Sequence, residues 1–343
     1  MATVRVFVLT YRRPQLLRRA VQSLCAQTFT DWVCELHNDD PADSAPRELV
    51  DEIGDSRITL HQHSVNWGAT ASFNQVFVGG PEPYASLLED DNWWSPDFLS
   101  TAIQTLDAHP DASLVWANMH IWREESDRSW TDTGQTIWRH APGSISPRIF
   151  HWPEAIQAFD GLHSNGAMVF RPGAFQPMSV PSLTPLSIIE PVRERAARGD
   201  LLLLTAPLAN FSVTRETSRS RDRVRWLQSQ LLVAASFFKA VKIDRDSLEK
   251  IWATRRAMTP RDTNLIFLTA LALGRPSLIR PAMPADWLRF MLNVGRHPLA
   301  NLRGLRFRSV HAELWTWLRQ HTPATSLRTT PLLLDKHATP PAI

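Results

Sequence analysis

The chain has 343 residues, enough for one large α/β domain with an appendage or for two domains. Hydrophobic residues make up 43% and charged residues 21%, an ordinary globular balance, and the net charge of +3 makes no case for nucleic acid while leaving room for phosphorylated ligands or an anionic membrane surface. Only two cysteines, Cys25 and Cys34, occur, both in segments that read as buried. The N-terminal MATVRVFVLTYRR lacks the long apolar run and cleavage site of a signal peptide, and no apolar run approaches a membrane span, so a reducing cytoplasm is expected.

Val4 to Leu9 is apolar and rich in β-branched residues, which predicts a strand ended by Thr10-Tyr11-Arg12-Arg13. Pro14 suits a helical first turn, and Leu16, Leu17, Ala20, Val21 and Leu24 carry the helix to about Gln27. A second strand over Trp32 to His37 closes on Asn38-Asp39-Asp40-Pro41, good turn chemistry in its own right. A helix over Ala45 to Ile53, a strand over Ile58 to His61, a turn at Asn66-Trp67-Gly68 and a helix over Ala69 to Val78 follow. The next strand, from Tyr84, runs into Glu89-Asp90-Asp91. Asp97 to Ala108 predicts a helix and Ser113 to Asn118 a strand. From Met119 to Trp152 the chain reads as irregular and tryptophan-rich. A strand at Gly166 to Arg171, a helix over Ile188 to Arg198 and a last strand at Leu201 to Thr205 are expected beyond it. After about Arg215 the pattern is helical with proline breaks. The organisation expected is an α/β domain over residues 1–220, a mostly helical extension over 221–320 and a poorly ordered tail over 321–343.

The strand-helix alternation predicts a mainly parallel sheet with helices on its faces. Ligands bind such sheets beyond the carboxyl ends of the strands, where Thr10-Tyr11, Asn38-Asp39-Asp40 and Glu89-Asp90-Asp91 all lie. No glycine-rich loop follows the first strand, which disfavours dinucleotide and P-loop readings. Three consecutive acids at the end of a buried strand repel one another and resist desolvation. A divalent cation offsets that cost, and hard oxygen ligands suit Mg²⁺ or Mn²⁺ better than zinc; the plainer alternative is a solvated loop at a strand end. His61 and His63 share a face with no third ligand in view and read as surface residues. The tryptophans Trp93, Trp94, Trp116, Trp122, Trp130, Trp138 and Trp152 serve either the core or an aromatic platform for a ligand. Trp94, next to the acidic motif, leads that set, with His163 and Asn165 lining the same cavity.

Taken in order, these motifs resemble glycosyltransferase family 2 over about Val4 to Ser220. The resemblance rests on Thr10-Tyr11 in VFVLTYRRP, the run SLCAQTF, the pair Asp39-Asp40, and the set Asn66, Gly68 and Asn74. It rests further on LLEDDNWWSPDFL, GAMVFRPGAF and RAARGDLLLLTAPLANF. It implies a GT-A fold and inverting, metal-dependent transfer from a nucleotide-diphosphate sugar, most simply a UDP-sugar. Tyr11 would pack against the base and Asp40 or Asp39 would accept its ring N–H. Thr10, Arg13, Asn66, Gly68 and Asn74 belong to the same nucleotide site. Asp91 would hold Mn²⁺ or Mg²⁺ with Glu89 completing its surroundings, while Asp90 meets the ribose or supports the ion. Trp93 and Trp94 would face the acceptor, and Glu190 at the start of the late helix would be the catalytic base, near a helix N-terminus that favours the anion.

The chain departs from the family's pattern at several points. Ser187-Ile188-Ile189-Glu190 replaces the usual Glu-Asp pair, with Asp160 as a less favoured base. NFSVTRETSRS offers Thr214 and no histidine, and Ser72-Phe73 stand where an arginine commonly precedes Asn74. Arg215 and Arg219 are either diphosphate contacts or a solvated face. The resemblance implies a glycan, polysaccharide or glycolipid acceptor in bacterial cell-surface polysaccharide biosynthesis. The C-terminal arginine- and leucine-rich helices read as a cap or dimer contact, or as a peripheral contact with the inner face of the membrane. The rival readings are a catalytically silent sugar-nucleotide or glycan binder and a sugar nucleotidyltransferase.

Overall fold

The computed structural model describes residues 2–139, 146–215, 222–258 and 263–327. The first half follows the sequence pattern closely. Strand β1 (Val4–Thr10) leads through helix α1 (Pro14–Cys25) to β2 (Trp32–Asn38), then α2 (Ala45–Ile53), β3 (Ile58–Gln62), α3 (Ala69–Val78) and β4 (Tyr84–Glu89). Alternation explains the packing of these strands. Val4, Val6 and Val8 of β1 and Trp32, Cys34 and Leu36 of β2 are buried beside Leu17, Ala20, Val21 and Leu24 of α1, in one continuous apolar core. Cys25, by contrast with Cys34, is only half-buried.

A two-residue strand β5 (Trp93–Trp94) precedes α4 (Phe98–Ala108), and then come β6 (Ala112–Glu124), β7 (Trp130–Thr136), β8 (Arg148–Phe150) and β9 (Met168–Phe170). A short α5 (Ile189–Glu194) and the long β10 (Asp200–Val213) complete the sheet. Its order is β3-β2-β1-β4-β9-β6-β10-β5, with β7 and β8 joined at its margins. Strands β1 to β4, β6 and β10 run parallel; β9 lies antiparallel between β4 and β6. The sheet is therefore mainly parallel, as expected, and its chain order reverses direction between β1 and β4.

Three expectations are corrected here. The segment read as irregular after Met119 continues β6 to Glu124 and turns back as β7, because β6 and β10 pair over most of their length. The last strand runs to Val213 rather than ending near Thr205: Pro207 sits where the β6–β10 register shifts, and a bulge tolerates its missing N–H. Helix α5 is also shorter than the pattern suggests.

The C-terminal region is helical: α6 (Arg223–Ala240), α7 (Arg245–Met258), α8 (Thr263–Leu273), α9 (Pro284–Arg296), α10 (Pro298–Gly304), α11 (Phe307–Val310) and α12 (Ala312–His321). Phe237 and Phe238 of α6 meet Trp152 and Phe159, so these helices share a core with the sheet domain. The start of the expected loose tail is tied down. Strand β12 (Thr325–Ser326) pairs with β11 (Val241–Lys242), and the Leu327 N–H donates to the Lys242 carbonyl at 2.8 Å. Arg219 and the rest of the tail lie outside the described residues.

Candidate active site

The reversal between β1 and β4 opens a crevice at their carboxyl ends, where open α/β sheets bind ligands. Hydrogen bonds close its floor. The Thr10 hydroxyl donates to Asp90 Oδ2 at 2.9 Å and the Tyr11 N–H to the same oxygen at 3.4 Å. Arg13 Nη1 reaches Asp91 Oδ2 at 2.8 Å and Asp90 Oδ1 at 3.4 Å. Arg12 adopts a left-handed φ of 58°, uncommon outside glycine, and turns the other way to donate to Asp40 Oδ2 at 2.5 Å. Two adjacent arginines thereby serve two strand ends. The Arg12 guanidinium holds the Asp40 carboxyl below the usual range, helped by the Ala42 N–H. Asp90 behaves oppositely: burial, and then the neighbouring Asp91, push it up to about 7. Tyr11 stands exposed beside the crevice with the Arg12 guanidinium 4.8 Å from its ring.

Asp39 serves the next turn. Its carboxylate accepts from the Trp67 N–H at 2.7 Å, the Gly68 N–H at 2.9 Å and His63 Nδ1 at 3.0 Å. Asn66 Oδ1 accepts from the Gly68 N–H at 2.7 Å. Gly68 has φ 80° as N-cap of α3, a conformation that favours glycine. Asn66, Gly68 and Asp39 thus form one turn beside the crevice. Asn74 does not join them. Its amide bridges to the Val180 backbone at 2.9 and 3.0 Å and accepts from Arg193 Nη2 at 2.6 Å, so its polar atoms are spent on joining α3 to the later part of the chain.

Past the acids, Arg19 of α1 donates to the Asp91 carbonyl at 3.0 Å and to Ser212 Oγ at 2.9 Å. Its guanidinium lies 3.7 Å from the Trp93 ring centre and 4.4 Å from that of Trp130. Burial lowers its pKa to about 10, which leaves it cationic at neutral pH. Trp93 is half-buried in this cluster and also meets Trp122. Trp94 is not part of an acceptor platform: it is 3% exposed, and its indole N–H donates to the Gly166 carbonyl at 2.7 Å. An indole satisfied by a buried carbonyl is a core residue. Trp116 and Trp138 are buried likewise.

Helix α5 is joined to the β4 end through Asn165 and Gly166. Glu190 occupies its first turn, half-buried, and accepts from the Asn165 N–H at 3.3 Å. Three buried ions fix this short helix. Arg193 lies 4.1 Å from the Phe77 ring centre and reaches α3 through Asn74; Arg195 donates to the Gln157 carbonyl at 2.7 Å and lies over Trp152. Burial lowers both arginines to about 9. Glu194 collects the Leu162 and His163 N–H groups, His163 Nδ1 at 2.8 Å and Gln157 Nε2 at 2.7 Å. Those donors hold its carboxyl below the usual range although it is buried. His163 therefore lines no cavity; it is 1% exposed and belongs to this anchor. Asn165 and Gly166 sit between α5 and the β4 end. A Cβ on Gly166 would lie 2.3 Å from Asn92 Nδ2 and 2.9 Å from Glu89 Oε2, so Glu89 packs under this segment.

A divalent cation fits Asp91. Its carboxylate is partly exposed, and Arg13 engages one oxygen, leaving the other as a hard ligand. Glu89 does not converge with it, being bonded to Asn92 Nδ2 at 3.2 Å and packed at Gly166. Arg215 gives its backbone N–H to Glu124 at 2.9 Å, just past the end of β10 whose Ser212 meets Arg19. The residues that sequence reasoning missed are Arg12, Arg19, Ser212 and the α5 anchors Arg193, Glu194 and Arg195. The pairs Arg12-Arg13 and Arg18-Arg19 flanking one turn of helix were the available signal for the first two.

Known proteins resemble this chain in sequence and in fold. The family model Glycosyl transferase family 2 matches residues 5–164. A putative colanic acid biosynthesis glycosyl transferase of Escherichia coli K12, WcaA, is 25% identical over 123 residues, covering 36% of this chain and 44% of that protein. The succinoglycan biosynthesis protein ExoW of Rhizobium meliloti is 28% identical over 127 residues, covering 35% and 38%. The match thus spans less than half the length of either relative. The crystal structure of S. aureus TarS 1–349 in complex with UDP has a TM-score of 0.57 at 12% identity, covering 90% of this chain and 92% of that one, a likeness of fold.

Proposed function

We propose that the chain is a member of glycosyl transferase family 2, whose model matches residues 5–164, and that it moves a sugar with inversion from a nucleotide-diphosphate donor, a UDP-sugar in the first instance, to an acceptor hydroxyl. The observation that carries this reading is the bonded meeting of the β1 and β4 ends, Thr10 and Tyr11 on Asp90, beside the turn held by Asp39. Tyr11 offers an exposed ring to the base. The Trp67–Gly68 turn and Arg13 offer N–H groups and positive charge to the rest of the nucleotide. Asp91 would hold Mn²⁺ or Mg²⁺, which when bound supplies Lewis-acid neutralisation of the departing diphosphate. Glu190 takes the proton from the acceptor hydroxyl as its oxygen bonds to the anomeric carbon and the bond to the diphosphate breaks. Arg193, Glu194 and Arg195 keep that carboxylate in place, since a short helix alone would not.

The acceptor in this reading is a growing polysaccharide or lipid-linked glycan, in keeping with relatives named for colanic acid and succinoglycan biosynthesis. No helix among the described residues is long and apolar enough to cross a membrane. Helices α9 and α10 expose Leu288, Met291, Leu292, Leu299 and Leu302 at 46–65%, with Arg289, Arg296 and Arg303 exposed among them. Leucines and arginines so interspersed suit the surface of an anionic bilayer, where a lipid-linked acceptor would be met.

Thermal unfolding with UDP, GDP, dTDP and CDP, each with Mn²⁺, Mg²⁺ or EDTA, tests the donor site. A nucleotide at about 100 times its Kd stabilises by about 2.7 kcal/mol, a rise of several degrees. A rise with UDP that EDTA removes is expected. The donor-site reading fails if no nucleotide raises the midpoint; binding without turnover of any donor sugar would instead mark a silent binder.

A further inference from the structure

A second group of side chains lies on β2 and β3, apart from the acids after β4. Glu35 and His37 are two residues apart on β2 and share a face; His61 on β3 is the register partner of His37. His63 is not at the surface beside His61, as alternation suggests. The strand ends at Gln62, and His63 turns inward, 5% exposed, to bond His37.

The result is a chain of side chains: Asp39 Oδ1 to His63 Nδ1 at 3.0 Å, His63 Nε2 to His37 Nδ1 at 3.0 Å, and His37 Nε2 to Glu35 Oε2 at 3.2 Å. Two neutral imidazoles bring two N–H protons to these three gaps. If His63 donates to Asp39 and His37 to His63, two lone pairs face each other between His37 Nε2 and Glu35 Oε2. An extra proton or a cation must sit there. His61 Nε2 lies 3.9 Å from the same Glu35 oxygen, and ligand atoms of Glu35, His37 and His61 fall within 4.8 Å of one another. Ligands of a tetrahedral Zn²⁺ at about 2.0–2.1 Å are roughly 3.3 Å apart. The 3.2 Å edge already matches; the His61 ring, stacked on that of His37 with centres 4.8 Å apart, would have to turn at its exposed position to close the others. Arg5 engages the other Glu35 oxygen and is itself paired with Glu82 at 2.7 and 2.8 Å, which directs Oε2 toward the histidines.

We propose that Glu35, His37 and His61 form a Zn²⁺ site, with a fourth position open to water, distinct from the hard-cation position at Asp91. His37 would then donate its remaining N–H to His63, and His63 to Asp39, the two-step backing that metal-bound histidines commonly have. Because Asp39 also holds the Trp67 and Gly68 N–H groups, the ion would brace the turn beside the crevice.

The test uses the full chain stripped with chelator and reloaded with Zn²⁺ or Co²⁺. One equivalent of tightly held Zn²⁺ is expected, and Co²⁺ in its place should give the intense visible absorption of a four-coordinate site. His61→Ala, at an exposed position that should not impair folding, is expected to weaken Zn²⁺ by about 100-fold or more and abolish the Co²⁺ band. Asp91→Asn should leave both unchanged. Absence of a tight equivalent, a purely octahedral Co²⁺ spectrum, or uptake unaffected by His61→Ala would each overturn the proposal and leave a proton in that gap.

Discussion

Replacing Asp90 by Asn isolates the cost of placing acids at the end of β4. The Asp90 side chain is 9% exposed, faces Arg13 and accepts from Thr10 and Tyr11, yet burial and Asp91 outweigh these partners and raise it from near 3.8 to about 7. In the unfolded chain the group loses its proton near pH 4; in the folded chain it keeps it to about 7. The protonated group's contribution to stability is therefore intact below about pH 4 and lost as pH rises through 7. A shift of about three pH units corresponds to about 4 kcal/mol. Asparagine keeps an oxygen for Thr10 and Tyr11 but cannot ionise. Urea unfolding from about pH 4 to about pH 8 without divalent cations should thus show the variant gaining on the parent by about 4 kcal/mol, read from the shift in midpoint at constant m. The same comparison in an Asp91→Asn background should show a smaller gain, since Asp91 is the second cause of the shift. A gap that stays within about 1 kcal/mol across the range would refute the reasoning, because Asp90 would then ionise alike in both states.

The remaining predictions concern the walls of the crevice. Asp39→Ala removes the acceptor of two backbone N–H groups and one imidazole; charge-assisted bonds at about 1.5–3 kcal/mol each predict a clear loss of stability, and nucleotide affinity measured by calorimetry should fall with it. Gly166→Ala must push Asn92 and Glu89 aside, an overpacking cost of about 1–3 kcal/mol, readable in thermal unfolding. Glu190→Gln should lower turnover by about 10²–10⁴-fold while the nucleotide-induced rise in midpoint is kept; a parental rate would remove Glu190 as the base. Leu288→Glu with Leu292→Glu should abolish sedimentation with vesicles of anionic lipid without lowering the midpoint, since both side chains are exposed.

The half of the chain up to β4 was legible because each unit is local. An apolar run, a polar strand end and a helix with proline in its first turn lie within some 25 residues, so β1 and α1 fall where the pattern puts them. Pairing across long separations was not legible. Strand β10 is held by β6, and no local signal past Thr205 reports the register shift that accommodates Pro207. Buried side chains were the harder case. Trp94 looked like an acceptor platform because tryptophan serves core and surface alike; its fate was decided by the Gly166 carbonyl, 72 residues away. Arg193, Glu194 and Arg195 resemble any solvated helix face, yet all three are buried, because their partners come from α3, the His163 segment and the residues before it.

This division has a chemical cause. The family match covers residues 5–164 and ends before Glu190, α5 and β10. In the proposed reaction the matched part would present carboxylates, N–H groups and an exposed ring to a nucleotide diphosphate, a ligand that demands the same groups from any fold of this kind. Short motifs at strand ends can express such a demand. The acceptor wall has no common ligand to satisfy, so its requirement reduces to holding one carboxylate at a fixed place. Buried ion networks, core tryptophans or packed helices can each do that. Here it is met by ions on a six-residue helix braced against α3 and α6, and substitutions at Asn74, Phe77 or Phe237 should reach Glu190 through that brace although none of them lies in the crevice.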